Sequence, residues 1–78
     1  MLAIVSPTHT AHIEIDWIEL NTPVGNFVIE QGHIPTIVTL VPHAPCIYMT
    51  TAGTQEIIKP QSAIAEISRS EVTIFMAQ

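Results

Sequence analysis

Seventy-eight residues with a formal net charge of −5 are enough for one domain and not for two. Hydrophobic residues make up 47% of the chain and charged residues only 12%, against roughly 25% charged in average usage. Lys59 and Arg69 are the only fixed cations, which argues against nucleic acid and anionic membrane surfaces as partners, since both draw affinity from Lys and Arg. A domain this short buries only about 60% of the surface its unfolded chain exposes. Part of the apolar content must therefore lie outside, where a contiguous patch marks a contact with another protein. Cys46 is the single cysteine, so no internal disulfide forms, and a small unstapled domain is expected in a reducing compartment. Residues 1–7 lack the charged start and the apolar length of a signal peptide, and no run approaches the ~20 apolar residues of a spanning helix. The chain is expected to be soluble and intracellular, without direct membrane insertion.

Taken in order, the segments have the period of strands. His12, Glu14 and Asp16 alternate with Ile13, Ile15 and Trp17, so the last three share one face. The phase then slips, because Ile18 and Leu20 are apolar while Glu19 is polar. A slip of one residue exchanges the two faces, which predicts a β-bulge or a change of sheet near Trp17 and Ile18 and a Trp17 shielded from water. Further strand runs lie at 27–29, 36–41, 46–50, 56–59, 63–67 and 72–76, most of them rich in Ile, Val and Thr. Residues 22–26, 31–35, 42–45, 52–54 and 68–70 separate them with Gly, Pro, Asn or Ser. Gly25, between Val24 and Asn26 and linking two such runs, is predicted to hold a positive φ. A helix over 60–68 is the weaker alternative, since Ile64, Glu66 and Ile67 make no helical stripe. Short strands recurring every roughly 8–12 residues predict an all-β sandwich or barrel, one domain over residues 1–78.

The four histidines are the only residues that invite a metal or enzymatic reading. His9 and His12 fall in a turn or at a strand entry, and His33 and His43 in proline-flanked loops. A zinc site needs three or four convergent ligands, and the sequence holds no close His-x-His pair, so surface or turn histidines are expected. Cys46 opens an Ile-Tyr-Met run and reads as a small buried apolar residue rather than a nucleophile. Glu14, Asp16 and Glu19 read as a solvated sheet face, and the isolated glycines cannot cradle phosphate. No catalytic residue, cofactor site or metal site is predicted.

Gly25, Phe27, Ile29, Gly32, His33, Pro35 and Pro42 match, without a gap, a pattern of Gly-Xaa-Leu/Phe-Gly-Ile/Val-Leu, then Pro-Gly-His-Ala-Pro, then an apolar strand ending in Lys/Arg-Pro-Gly. That pattern resembles the N-terminal β-domain of the epsilon subunit of F-type ATP synthases (delta in mitochondrial naming). Residues 2–7 resemble the family's opening strand and turn, 13–20 its second strand, and 63–67 with 71–75 its closing hairpin. The resemblance implies a flattened β-sandwich of about ten short strands in two sheets, with no C-terminal helical hairpin within these residues. It implies a non-catalytic rotor subunit at the foot of the central stalk, contacting the gamma subunit and the c-ring and coupling proton transport to ATP synthesis. Its place would be the cytoplasmic, matrix or stromal face, peripheral to the energy-transducing membrane through the complex.

Three departures stand out. Val24 and Asn26 replace acidic residues that often flank the first glycine, Gln31 replaces the proline before Gly32, and Ser62 and Ala63 replace a Gly-Gly pair. A stand-alone epsilon-like domain serving as a protein–protein interaction module is the second reading. In either case Val24, Gly25, Asn26, Gly32, His33, Ile34 and Pro35 are expected to form one partner-contact surface. Pro35 confines Ile34 to extended geometry, and a loop stiff before binding loses less entropy on binding. The plainer alternative is that His33 only hydrogen-bonds its own loop. Since no residue set can cradle phosphates, the purified protein is expected neither to hydrolyse nor to bind ATP. A calorimetric titration that detects a micromolar nucleotide complex refutes this.

Overall fold

A computed structural model describes residues 1–77. Among them nine strands and no helix are present: β1 (Leu2–Val5), β2 (Thr10–Ile13), β3 (Ile15–Thr22), β4 (Gly25–Glu30), β5 (Thr36–Thr39), β6 (Cys46–Thr50), β7 (Gln55–Ile58), β8 (Ala63–Ile67) and β9 (Val72–Met76). They form two stacked sheets, the first ordered β2-β1-β9-β8-β5 and the second β4-β3-β6-β7. Every neighbouring pair is antiparallel except β1 and β9. These lie parallel, Leu2 opposite Val72 and Val5 opposite Phe75, so the first and last strands meet at the centre of the first sheet.

The core lies between the sheets. Leu2, Ile18, Leu20, Ala65 and Ile74 have no exposed surface, and Ile29, Leu40, Cys46, Tyr48, Ile67 and Val72 close around them. The chain crosses from one sheet to the other just after β5. Leu40 N donates to Ala63 O of β8 (3.0 Å), and the next amide, Val41 N, donates to Asn21 O of β3 (2.9 Å). The 36–41 run is thus a four-residue strand and a step between layers. Residues 60–68 take the strand alternative, with Ala65 and Ile67 inward and Glu66 opposite Thr73 on the outer face.

The phase slip is a bulge, but it falls earlier than expected. Ile15 pairs with Thr50 and Trp17 with Met49, so Asp16 is the additional residue on β3. Ile13 and Ile15 pack against the core, and Ile18 and Leu20 follow as its most buried members. Trp17, beyond the bulge, turns to the outer face, where it is only half-buried. The shielded Trp17 expected from the alternation is therefore corrected: the extra residue is spent before the tryptophan, not after it.

β3 and β4 are joined by the two-residue turn Pro23-Val24, with Thr22 opposite Gly25. Gly25 has φ +137°, a region that costs an L side chain backbone strain. A Cβ there would meet no atom within 4 Å, so the penalty of Gly25→Ala is conformational and not steric. The substitution is expected to lower unfolding free energy by about 1–2 kcal/mol; an unchanged urea midpoint would refute the strain argument.

Burial pushes the Cys46 thiol pKa up, with the backbone hydrogen bond to Asn21 pulling weakly the other way. The folded thiol therefore keeps its proton where the unfolded one releases it. The stability this gives is complete below the unfolded thiol's pKa and is lost as pH rises through the higher folded value. Tyr48, raised by burial and then by Glu56, acts in the same direction. Between about pH 8 and 10, the melting temperature of the native protein is expected to fall more steeply than that of Cys46→Ala. Parallel curves would contradict this.

Candidate partner-contact site

The 22–26 turn is held by its own first residue. The buried Thr22 hydroxyl donates to Gly25 O (2.8 Å) and accepts from Val24 N (3.3 Å). With Pro23 restricting the other side of the turn, the backbone is stiff and the Val24 side chain stands 83% exposed at the tip. Asn26 begins the outward positions of β4. Its amide donates to Glu19 Oε2 and to Asn21 Oδ1, both at 2.9 Å, and Asn21 donates in turn to Pro45 O at 2.7 Å.

The 31–35 loop is tied down equally well. Gly32, at φ +89°, donates its amide to Arg69 O (2.7 Å), and His33 N donates to Glu30 O (3.3 Å). His33 Nδ1 lies 2.8 Å from Ile34 O; a carbonyl only accepts, so Nδ1 carries the proton and the ring is half-spent on its own loop. Ile34, held extended by Pro35, is 72% exposed. Of the two, Ile34 is the residue free to touch a partner.

The expected single surface is not formed. The turn and the loop stand at opposite ends of β4, whose six residues span about 17 Å at ~3.3 Å each. Long-range bonds confirm the placement. Gly32 is tied to the β8–β9 connection through Arg69, whereas Asn21, beside the turn, is tied to Val41 beyond the far end of β5. Val24, Gly25 and Asn26 thus belong to one end of the sandwich, and Gly32, His33, Ile34 and Pro35 to the other.

Residues outside the predicted set join the loop instead. A groove of about 340 Å³ opens between the edge strands β4 and β5, walled by Phe27, Ile29, Val38 and Ile67 and closed at one end by His33, Ile34 and Pro35. Phe27 is 43% exposed there, because β4 has a neighbour on one side only. Its signal in the sequence was an aromatic residue in a strand directly after a turn, which does not distinguish an edge from a centre. Among the described residues, no group of three or more His, Cys, Asp or Glu side chains is placed to hold a metal ion.

Solved structures share this architecture, among them two of mitochondrial ATP synthases. A chain of the Euglena gracilis mitochondrial ATP synthase, in its OSCP/F1/c-ring assembly in rotational state 1, superposes with a TM-score of 0.88 at 16% identity, over 99% of this chain and 49% of that one. A chain of the Tetrahymena thermophila mitochondrial ATP synthase central stalk and c-ring gives 0.81 at 12% identity, over 99% of this chain and 62% of that one. At such identities the likeness establishes the fold, and this chain spans about half to three fifths of the chains it resembles. No curated protein matches the sequence. The family model for the ATP synthase delta/epsilon chain beta-sandwich domain, however, matches residues 1–78. With that match running from end to end of a chain folded as two stacked sheets, the chain belongs to the ATP synthase delta/epsilon family of beta-sandwich domains.

Proposed function

We propose that the protein is a non-catalytic central-stalk subunit of a rotary F-type ATP synthase. In this reading it contacts the gamma subunit and the c-ring and helps to couple proton transport to ATP synthesis without chemistry of its own. The observation that carries the reading is the family match over residues 1–78. The geometry supports it: a stiff sandwich with an exposed apolar tip at each end, Val24 and Ile34, suits a domain held between two partners. No helix among the described residues is long and apolar enough to cross a membrane, and in this role none is needed, because attachment to the energy-transducing membrane comes through the complex.

The second reading, a stand-alone interaction module, draws on Val24 and Asn26, which offer no charge where the resemblance leads one to expect carboxylates. One experiment separates the two. ATP synthase purified from cells carrying a tagged copy of the chain is expected to retain it together with gamma and c-ring subunits. Exchanging both His33 and Ile34 for Ala should reduce that retention severalfold at an unaltered melting temperature. Absence of the native chain from the complex favours the module, and full retention of the folded double variant removes the loop from the contact.

A further inference from the structure

The outer face of the second sheet is unusually apolar for a surface. Pairing places Val28, Glu19, Ile47 and Ile57 in one outward row across β4, β3, β6 and β7, and Glu30, Trp17, Met49 and Gln55 in the next. Val28 and Ile57 are more than half exposed, at 55% and 54%. Across a solvated sheet face polar residues are the rule, whereas here Glu30 and Gln55 stand on the edge strands β4 and β7, and on the two central strands of these rows the one carboxylate, Glu19, lies among Trp17, Ile47 and Met49.

That carboxylate is held in place. Glu19 is half-buried, and one of its oxygens accepts from Asn26, itself anchored through Asn21 to Pro45 O. The chain of hydrogen bonds crosses the face and orients Glu19 before any partner arrives. Neither row contains a Lys or Arg. A partner that covered this face with apolar groups alone would strand the charge in a dry contact, which is strongly unfavourable.

We infer that the outer face of the second sheet is a docking surface for a protein subunit that sets one Lys or Arg side chain against Glu19 inside a contact whose middle is otherwise apolar. Charge complementarity selects this occupant over a second copy of the chain. A two-fold contact brings the same patch against itself, with two carboxylates, Glu19 and Glu30, and no cation in the two rows and a formal charge of −5 on each copy. The inference rests on the reading of the chain as a stalk subunit, because the cation must come from a neighbour in that complex.

The test is calorimetric titration of the native chain and its variants into ATP synthase from the same source, depleted of this chain. Glu19→Gln keeps the shape and removes the charge, and is expected to weaken binding roughly tenfold; Glu19→Lys should weaken it by at least about 30-fold. Ile57→Ser reports on the apolar rim independently of the Asn26 hydrogen bonds and should also weaken binding. Phe75→Ser, on the outer face of the first sheet, should leave it unchanged. Melting temperatures verify that each variant is folded. If the native chain fails to bind, the stalk reading falls and this inference with it. If it binds and the Glu19 variants bind equally well, only the ionic docking surface is overturned. A loss confined to Phe75→Ser moves the contact to the other sheet, and a dimer of the isolated chain that Glu19→Lys disperses identifies a second copy as the occupant; either result overturns the inference.

Discussion

The bulge at Asp16 governs how β3 divides its side chains between inside and outside. Before it, Ile15 turns inward, as Ile13 does at the end of β2; after it, Ile18 and Leu20 do, and both are completely buried. Without the extra residue, strand alternation would send Ile18 and Leu20 to solvent and draw Trp17 and Glu19 into the core. An unpaired carboxylate between the sheets is not survivable for a domain with so few core residues. The bulge is therefore a condition of the sandwich, and it is also what delivers Trp17 and Glu19 to the outer face.

β3 then organises its neighbours. It pairs with β4 on one side and β6 on the other, and its carbonyl at Asn21 receives the chain as it crosses from the first sheet. The parallel meeting of β1 and β9 closes the first sheet by bringing both ends of the chain to its middle. Four of the seven strand pairs are hairpins between consecutive strands, and the other three, β1–β9, β3–β6 and β5–β8, join distant parts of the sequence and assemble those hairpins into two sheets. The connections are correspondingly short and pinned, Thr22 holding one turn and Arg69 O the 31–35 loop.

In the role proposed for the chain, a stiff body of this kind transmits force. Two layers on a common core resist shear because interiors are close-packed, and stiff loops lose little entropy when they bind. The apolar excess is distributed rather than hidden: at the two tips, along the groove beside Phe27, and over the outer face around Glu19. For a free monomer such a surface is a liability, and inside a larger assembly it is contact area.

Much of the fold was legible in the sequence because period two, β-branched residues and Gly or Pro breaks are local signals. They located the strand runs that became β4 to β9, the positive φ of Gly25 and the existence of a slip in β3. The glycine–histidine–proline element, a short ordered string of residue types, was enough to indicate the family. Other features depend on which strands become neighbours. Alternation reveals that a slip occurs but not on which side of Trp17, because only pairing with Thr50 and Met49 shows where the extra residue lies. The turn at Val24 and the loop at Ile34 look close in the sequence, yet the extended strand between them holds them at opposite ends of the sandwich. The row of Val28, Glu19, Ile47 and Ile57 draws on four strands, so no window of sequence contains it. Local pattern settles the conformation of each segment, because it depends on a residue and its immediate neighbours; which residues share a surface is settled only by the pairing of distant strands.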